Sequence, residues 1–269
     1  MTTKRPRKKT ARKLKPLADY VLPPGKALVL RTCKADMSSN AEEANGFKWP
    51  KAGPVACDDW EPTPECGHGL HGLLWGEGEG QLLNWDADAV WLVVEIDPTT
   101  AIDLDGKVKF PRGVVIHCGV RDTAPKFISE HGGAGRAIVS GTATAGDSGT
   151  ATAGVSGTAT AGDSGTATAG DSGTATAGDS GTATAGDRGT ATAGDSGTAT
   201  AGDRGTATAG DRGTAKTGEI GIIVCRWLDV SHERYRLAVG YVGEDGIKAN
   251  TFYRTDDNGK LVEVPEVAK

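Results

Sequence analysis

Large apolar side chains fall in two blocks, roughly 20–130 and 220–267, with a long stretch of small residues between them. In the first block they come in short β-branched runs bounded by Gly, Pro or Asp: KALVLRTC (26–33), AVWLVVEI (89–96) and GVVIHCGV (113–120). Runs of that length and punctuation predict strands. In DLDGKVKF (103–110), Asp-Gly sits between alternating residues and predicts a hairpin. The stretch 45–88, rich in Gly, Pro and Trp, reads as long ordered loops, and TAPKFISEHGG (123–133) as a short helix ending at Gly132. In the second block GIIVCRWLDV and RYRLAVGYV read as two strands. Turns at Asp245-Gly246 and Asn258-Gly259 complete a small β-meander.

The stretch between is an array. Nine near-identical octads of the form GTATAGDS begin at Gly141 and end at Arg212, flanked in register by the degenerate copies GAGRAIVS (133–140) and GTAKTGEI (213–220). Atypical end copies suit a stacked array, whose terminal units must cap it. In a strand TAT, alternation puts alanine on one side and both threonines on the other. Gly-Asp-Ser-Gly then supplies a turn, with glycine free to take positive φ and Asp able to bond nearby amides. One octad is half a coil, and two octads close a coil of sixteen residues with two flat faces. Its interior, Ala143, Ala145 and their equivalents, is thin, so backbone ladders and the ends of the array must supply much of the stability.

The threonines would form two outward faces. One carries Thr142, Thr144, Thr158, Thr160, Thr174, Thr176, Thr190, Thr192, Thr206 and Thr208. The other carries Thr150, Thr152, Thr166, Thr168, Thr182, Thr184, Thr198 and Thr200. Threonines two apart lie ~6.6–7 Å apart along a strand, and neighbouring coils ~4.8 Å apart. The result is a rectangular grid of hydroxyls and methyls, stiffened by the restricted χ1 of threonine. Such a grid can hold water in a lattice-like array.

The Thr-x-Thr octad followed by Ala-Gly resembles the octapeptide arrays of bacterial ice-nucleation proteins, and the Thr-x-Thr faces of solenoid antifreeze proteins. The resemblance covers 141–214 and implies a β-solenoid with an ice-organising threonine face. The array is shorter than theirs, lacks the tyrosine and serine of the bacterial unit, and has two like faces. The overall layout also resembles an uncharacterised family of phage and bacterial proteins. That likeness rests on ECGHGLHG (65–72), the octads, and VGEDGIKANTFYRTDDNGKLVEV near the C-terminus.

Charge adds an arm to this picture. Residues 1–16 carry Lys4, Arg5, Arg7, Lys8, Lys9, Arg12, Lys13 and Lys15 and no acid, leaving 22 basic and 35 acidic residues, a net of −13, in the remainder. A disordered basic arm predicts salt-sensitive, non-specific attraction to nucleic acid or an anionic surface. No apolar stretch follows it as in a secretory signal, and no apolar run nears the ~18 residues of a membrane span, so the expectation is a cytoplasmic protein without a span. Five cysteines, an odd number at irregular spacing, argue for reduced thiols.

Candidate chemistry concentrates in Cys57, Cys66, His68 and His71, a possible zinc set with His117 or Cys118 as further neighbours. Their spacing, C-x8-C-x-H-x2-H, matches no common finger, and the competing reading is buried thiols and packing histidines. Cys66 with His68 or His71 is a conceivable nucleophile pair with no third, orienting group. The place to look for a cleft is around Cys66, His71, Trp75 and Glu77. GEGEG (76–80) lacks the lysine of a phosphate loop. Calcium solenoids use nonapeptides with a large aliphatic; here the period is eight, and Val155 replaces one Asp.

The expected fold is mainly β. A basic arm (1–20) precedes a mostly-β, α+β domain (21–132), a β-solenoid of 16-residue coils (133–220) and a β cap (221–269). The expected function is a non-enzymatic repeat protein without cofactor, presenting an ice- or water-binding surface. The alternative is a scaffold or spacer of a phage or bacterial assembly. Self-association through the solenoid faces is expected too.

Overall fold

The computed structural model describes residues 20–39 and 47–265; the basic arm from Lys4 to Lys15 lies outside them. The N-terminal domain is one antiparallel sheet of seven strands. They are β1 (Ala27–Cys33), β2 (Gly53–Ala56), β3 (Leu70–Leu74), β4 (Val90–Ile96), β5 (Ile102–Asp103), β6 (Val108–Phe110) and β7 (Arg112–Gly119), in the order β2-β7-β4-β1-β3-β6-β5. Period-two alternation sends Ala27 and Val29 to one side of β1 and Leu28 and Leu30 to the other, and both sides are buried. The second side is covered by a helix, α1 (Thr123–Ile128). The β5–β6 hairpin turns at Asp105-Gly106 with positive φ at both, as its sequence predicts.

The loop reading of 45–88 is corrected. Gly53–Ala56 and Leu70–Leu74 are strands, and β3 lies inside the sheet between β1 and β6. LHGLL carries no β-branched residue, which hid it. Gly72 is required there: a Cβ would sit 2.7 Å from the Leu30 carbonyl oxygen of β1.

The octads form a two-sheet solenoid. One sheet contains β8 (Thr142–Thr144), β10 (Thr158–Ala161), β12 (Thr174–Ala177), β14 (Thr190–Ala193) and β16 (Thr206–Ala209). The other contains β9 (Thr150–Ala153), β11 (Thr166–Ala169), β13 (Thr182–Ala185), β15 (Thr198–Ala201) and β17 (Thr214–Thr217). Neighbours pair in parallel at an offset of sixteen, as Thr158 with Thr174 and Ala159 with Ala175. From Ala151 onward the inward alanines are buried; Ala143 and Ala145, in the first half-coil, are only half-buried.

Each corner is a β-turn closed by a bond such as that from the Gly181 amide to the Gly178 carbonyl, 3.1 Å. The left-handed residue in it is not the glycine that the sequence reading favours but the serine: Ser180 has φ 56°, and arginine takes the same conformation at 188, 204 and 212. The glycines serve close coil stacking instead. A Cβ on Gly178 would lie 2.8 Å from the Asp163 amide nitrogen in the coil below, and closer still to its carboxylate. One on Gly181 would lie 2.8 Å from the Ala177 methyl. The aspartates form ladders down both rims. The amides of Asp163, Asp179, Asp195 and Asp211 each donate to the carboxylate sixteen residues earlier, at 2.8–3.2 Å. Asp187, Asp203 and Glu219 do the same on the other rim.

At the N-terminal joint Val155 stands where the octad has Asp. It packs against the core cluster that holds Ile138 and Val139, and its side chain lies 3.0 Å from where a Cβ on Gly80 would stand. Its carbonyl accepts from the Ser140 amide at 2.8 Å. Glu77 holds Arg136 at 2.7 Å and accepts from the Ala137 amide at 3.2 Å, and the Arg136 guanidinium lies 4.9 Å from the Trp75 ring centre.

At the other end the expected single meander is two hairpins, one on each sheet. β18 (Ile222–Asp229) continues the first sheet in parallel register and turns back through β19 (Arg234–Tyr241). β20 (Tyr253–Thr255) and β21 (Leu261–Glu263) close the second sheet against β17. Ile223, Cys225, Ile247 and Tyr253 plug the alanine core with side chains larger than any within it.

Candidate functional site

All eighteen of the singled-out threonines point outward, half-buried or exposed. Because the ladders are parallel and in register, Thr142, Thr158, Thr174, Thr190 and Thr206 stand in one column, with Thr144, Thr160, Thr176, Thr192 and Thr208 in the next. The opposite sheet repeats this from Thr150 and Thr152 to Thr198 and Thr200. With coils ~4.8 Å apart, the five Thr-x-Thr strands of the first face span ~20 Å and the four of the second ~15 Å.

The two faces end differently, which their identical octads do not reveal. On the first, Ile222 and Val224 follow Thr206 and Thr208, and Tyr241 and Val239 follow those on β19. Tyr235, Leu237, Val239 and Tyr241 are all about half exposed or more, an apolar strip continuous with the threonine grid. On the second, Thr214 and Lys216 follow Thr198 and Thr200, and the Lys216 ammonium lies 4.3 Å from the Phe252 ring centre. The Thr198 and Thr214 hydroxyls are 3.3 Å apart.

In the N-terminal domain Cys57, Cys66, His68 and His71 all line one cleft of ≈ 810 Å³. Among the described residues no three His, Cys, Asp or Glu side chains cluster as a metal site would require. Two of the four have other partners. Cys57 Sγ donates to the Pro111 carbonyl at 3.3 Å, and burial pushes its thiol up. Cys66 is exposed, accepts from the Lys107 ammonium at 3.1 Å, and that bond holds its thiol below the ordinary range. His71 is held neutral, its pKa lowered to about 4, by burial first and then by Lys107, Arg31 and Lys109. His117 stacks on Phe127 of α1 and meets the Thr123 hydroxyl at 3.0 Å, and neither it nor Cys118 lines the cleft. Trp75 and Glu77, expected at the cleft, belong to the joint with the solenoid. All five cysteines are free thiols.

Among the described residues no helix is long and apolar enough to cross a membrane. No family model matches the chain, and no solved structure matches it. Its repeat segment is similar to bacterial ice nucleation proteins. It is 41% identical over 108 residues to ice nucleation protein InaU of Pantoea ananas, and 44% identical over 106 residues to that of Pseudomonas syringae. A third relative, from Pseudomonas fluorescens, is 43% identical over 108 residues. Each match takes in 39% of this chain but only 9–10% of the relative's length. The chain is therefore a β-solenoid repeat protein whose repeat segment is similar to that of bacterial ice nucleation proteins.

Proposed function

We propose that the threonine faces bind and order water as an ice-like layer, so that the chain acts as a small ice-nucleation-like or ice-binding protein. The observation that carries this is the parallel, in-register stacking of Thr-x-Thr at an offset of sixteen. It repeats one hydroxyl–methyl pattern along both faces. The restricted rotamers of threonine fix the pattern before water arrives, so little side-chain entropy is lost on binding. Droplet-freezing and ice-recrystallisation assays test it, comparing the wild type with Thr158→Lys/Thr174→Lys/Thr190→Lys. The triple variant is expected to lose most of the effect while keeping its β-type circular dichroism. A wild type no better than an unrelated protein of equal concentration overturns the reading.

The apolar strip on β19 favours self-association as a companion to this function. The strand is the last of its sheet, and its outward residues read Tyr-x-Leu-x-Val-x-Tyr from 235 to 241, symmetric about Ala238. Antiparallel pairing of two copies there sets Tyr235 against Tyr241 and Leu237 against Val239. It also brings the Arg234 end of one copy to the exposed Glu244 and Asp245 of the other. The two threonine grids would then join into one larger sheet. Sedimentation of Leu237→Glu against the wild type tests this, with dimer expected only for the wild type. A wild type that is monomeric at high micromolar concentration ends it.

A further inference from the structure

The cleft of the N-terminal domain holds a cation, Arg31, that no carboxylate among the described residues pairs with. Arg31 is the only charged residue of β1, and by strand parity it points to the same side as Val29 and Cys33, into the domain. Its Nε is shut off from solvent and has no hydrogen-bond partner among the described residues, and no carboxylate there forms an ion pair with it. Its guanidinium lies over the Trp49 ring at 5.6 Å. Across the same cleft His71 Nε2 is a second buried polar atom without a partner. Arg31 as a whole is half-buried, and a buried polar atom left without a hydrogen bond, as its Nε is, is unfavourable. Two orphaned polar atoms facing one opening are what a missing acceptor leaves behind.

The surroundings narrow the ligand. Lys107 reaches the cleft from the β5–β6 hairpin, so two cations serve an anionic group. Phe47, Trp49 and the exposed Leu82 supply an apolar wall, with the Phe47 and Trp49 rings edge-on at 5.6 Å. The volume, ≈ 810 Å³, lies within the usual range of small-molecule sites. Asp58 and Asp59 sit exposed among the lining residues, suited to hydroxyls or amines and hostile to bare polyanions. We propose that this cleft is a binding site for a phosphorylated nucleoside, its phosphate received by Arg31 and Lys107 and its ring by the Phe47–Leu82 wall.

ADP, pyrophosphate and adenosine are the probes, each titrated into the full-length protein with thermal unfolding as the readout. ADP is expected to raise the melting temperature, adenosine not to, and pyrophosphate to bind at least tenfold more weakly than ADP. Arg31→Gln is expected to melt close to the wild type without ligand, because it removes a nitrogen that has no hydrogen-bond partner, and to lose at least tenfold in ADP affinity. Should that variant fail to fold, Lys107→Gln, at a half-buried hairpin position, carries the same affinity test. Cys66 gives an independent reading: ADP should slow its alkylation by iodoacetamide at least tenfold while Cys33, Cys118 and Cys225, outside the cleft, are unaffected. No stabilisation by any of the three probes at millimolar concentration overturns the proposal. Undiminished ADP binding by both variants overturns it too, and equal affinity for ADP and pyrophosphate overturns the assignment of the ring.

Discussion

Phe110 in the N-terminal domain and Ala183 in the solenoid are both fully buried, yet they are buried under opposite rules. The N-terminal domain packs Trp91 and Leu28 irregularly between a sheet and a short helix, and Phe110 and Leu92 on the sheet's other side, and it leaves a cleft with unsatisfied polar atoms. The solenoid has one side chain to pack, the alanine methyl, and no room for another. What the first gains in shape it loses in regularity. The first forms the large cleft, ≈ 810 Å³ against ≈ 160 Å³ for a pocket on the solenoid rim, and only the second repeats a surface at a fixed spacing.

The contrast breaks most visibly in the core. Ala183→Leu has no space to enter, and the loss should exceed the ~1–3 kcal/mol of ordinary overpacking. The β-type circular dichroism of the array is the measurement, and an unchanged melt would dissolve the distinction. Leu28→Ala should fail for the reverse reason, a void costing ~2–5 kcal/mol, read by fluorescence, since five of the six tryptophans are in that domain.

Acid separates the two regions next. With His71 lowered to about 4 in the folded state and ~6.5 when free, the unfolded chain takes up the proton first. Its contribution is therefore complete above pH 6.5 and declines as pH falls towards 4. The N-terminal melting temperature should drop across that window, and His71→Gln should flatten the drop. An identical profile for that variant would remove His71 from the account.

Smaller effects probe the corners. Asp179→Ala removes the acceptor for the Asp195 amide on one rim and should cost ~1 kcal/mol, while Asp179→Asn, which keeps an acceptor oxygen, should cost less. Ser180→Gly should change stability least, by under ~1 kcal/mol: relief of a left-handed φ is offset by the entropy glycine loses on folding. A large loss in that variant would mean that the serine hydroxyl, and not the backbone, defines the turn.

The sequence made the solenoid legible because its rules are local. Alternation assigns alanine inward and threonine outward, and two turns per sixteen residues close the coil. It misled on the glycines because their constraint is not local: the atom that excludes a Cβ at Gly178 belongs to Asp163, one coil away. The difference between the two faces was hidden for the same reason, since it lies in Ile222, Val224 and Lys216, outside the octads. In the N-terminal domain β-branched runs revealed β1, β4 and β7, but LHGLL did not announce β3. The residue types of a zinc set drew attention to Cys57, Cys66, His68 and His71, and these do share one cleft. The residue with the strongest unmet demand there, Arg31, passed unnoticed inside an apolar strand. Its signal was parity: a lone charge in step with Val29 and Cys33 must point inward.

The offset of sixteen also governs how such a gene can grow. A duplication of two octads slides the C-terminal hairpins along the axis by one coil, ~4.8 Å, and leaves every partner in place. A duplication of one octad hands β18 to the opposite sheet and turns the whole cap half a revolution relative to the N-terminal domain. Insertions and deletions in this array are therefore of two kinds, those that change its length and those that exchange which threonine face runs into the β19 strip and which into Lys216.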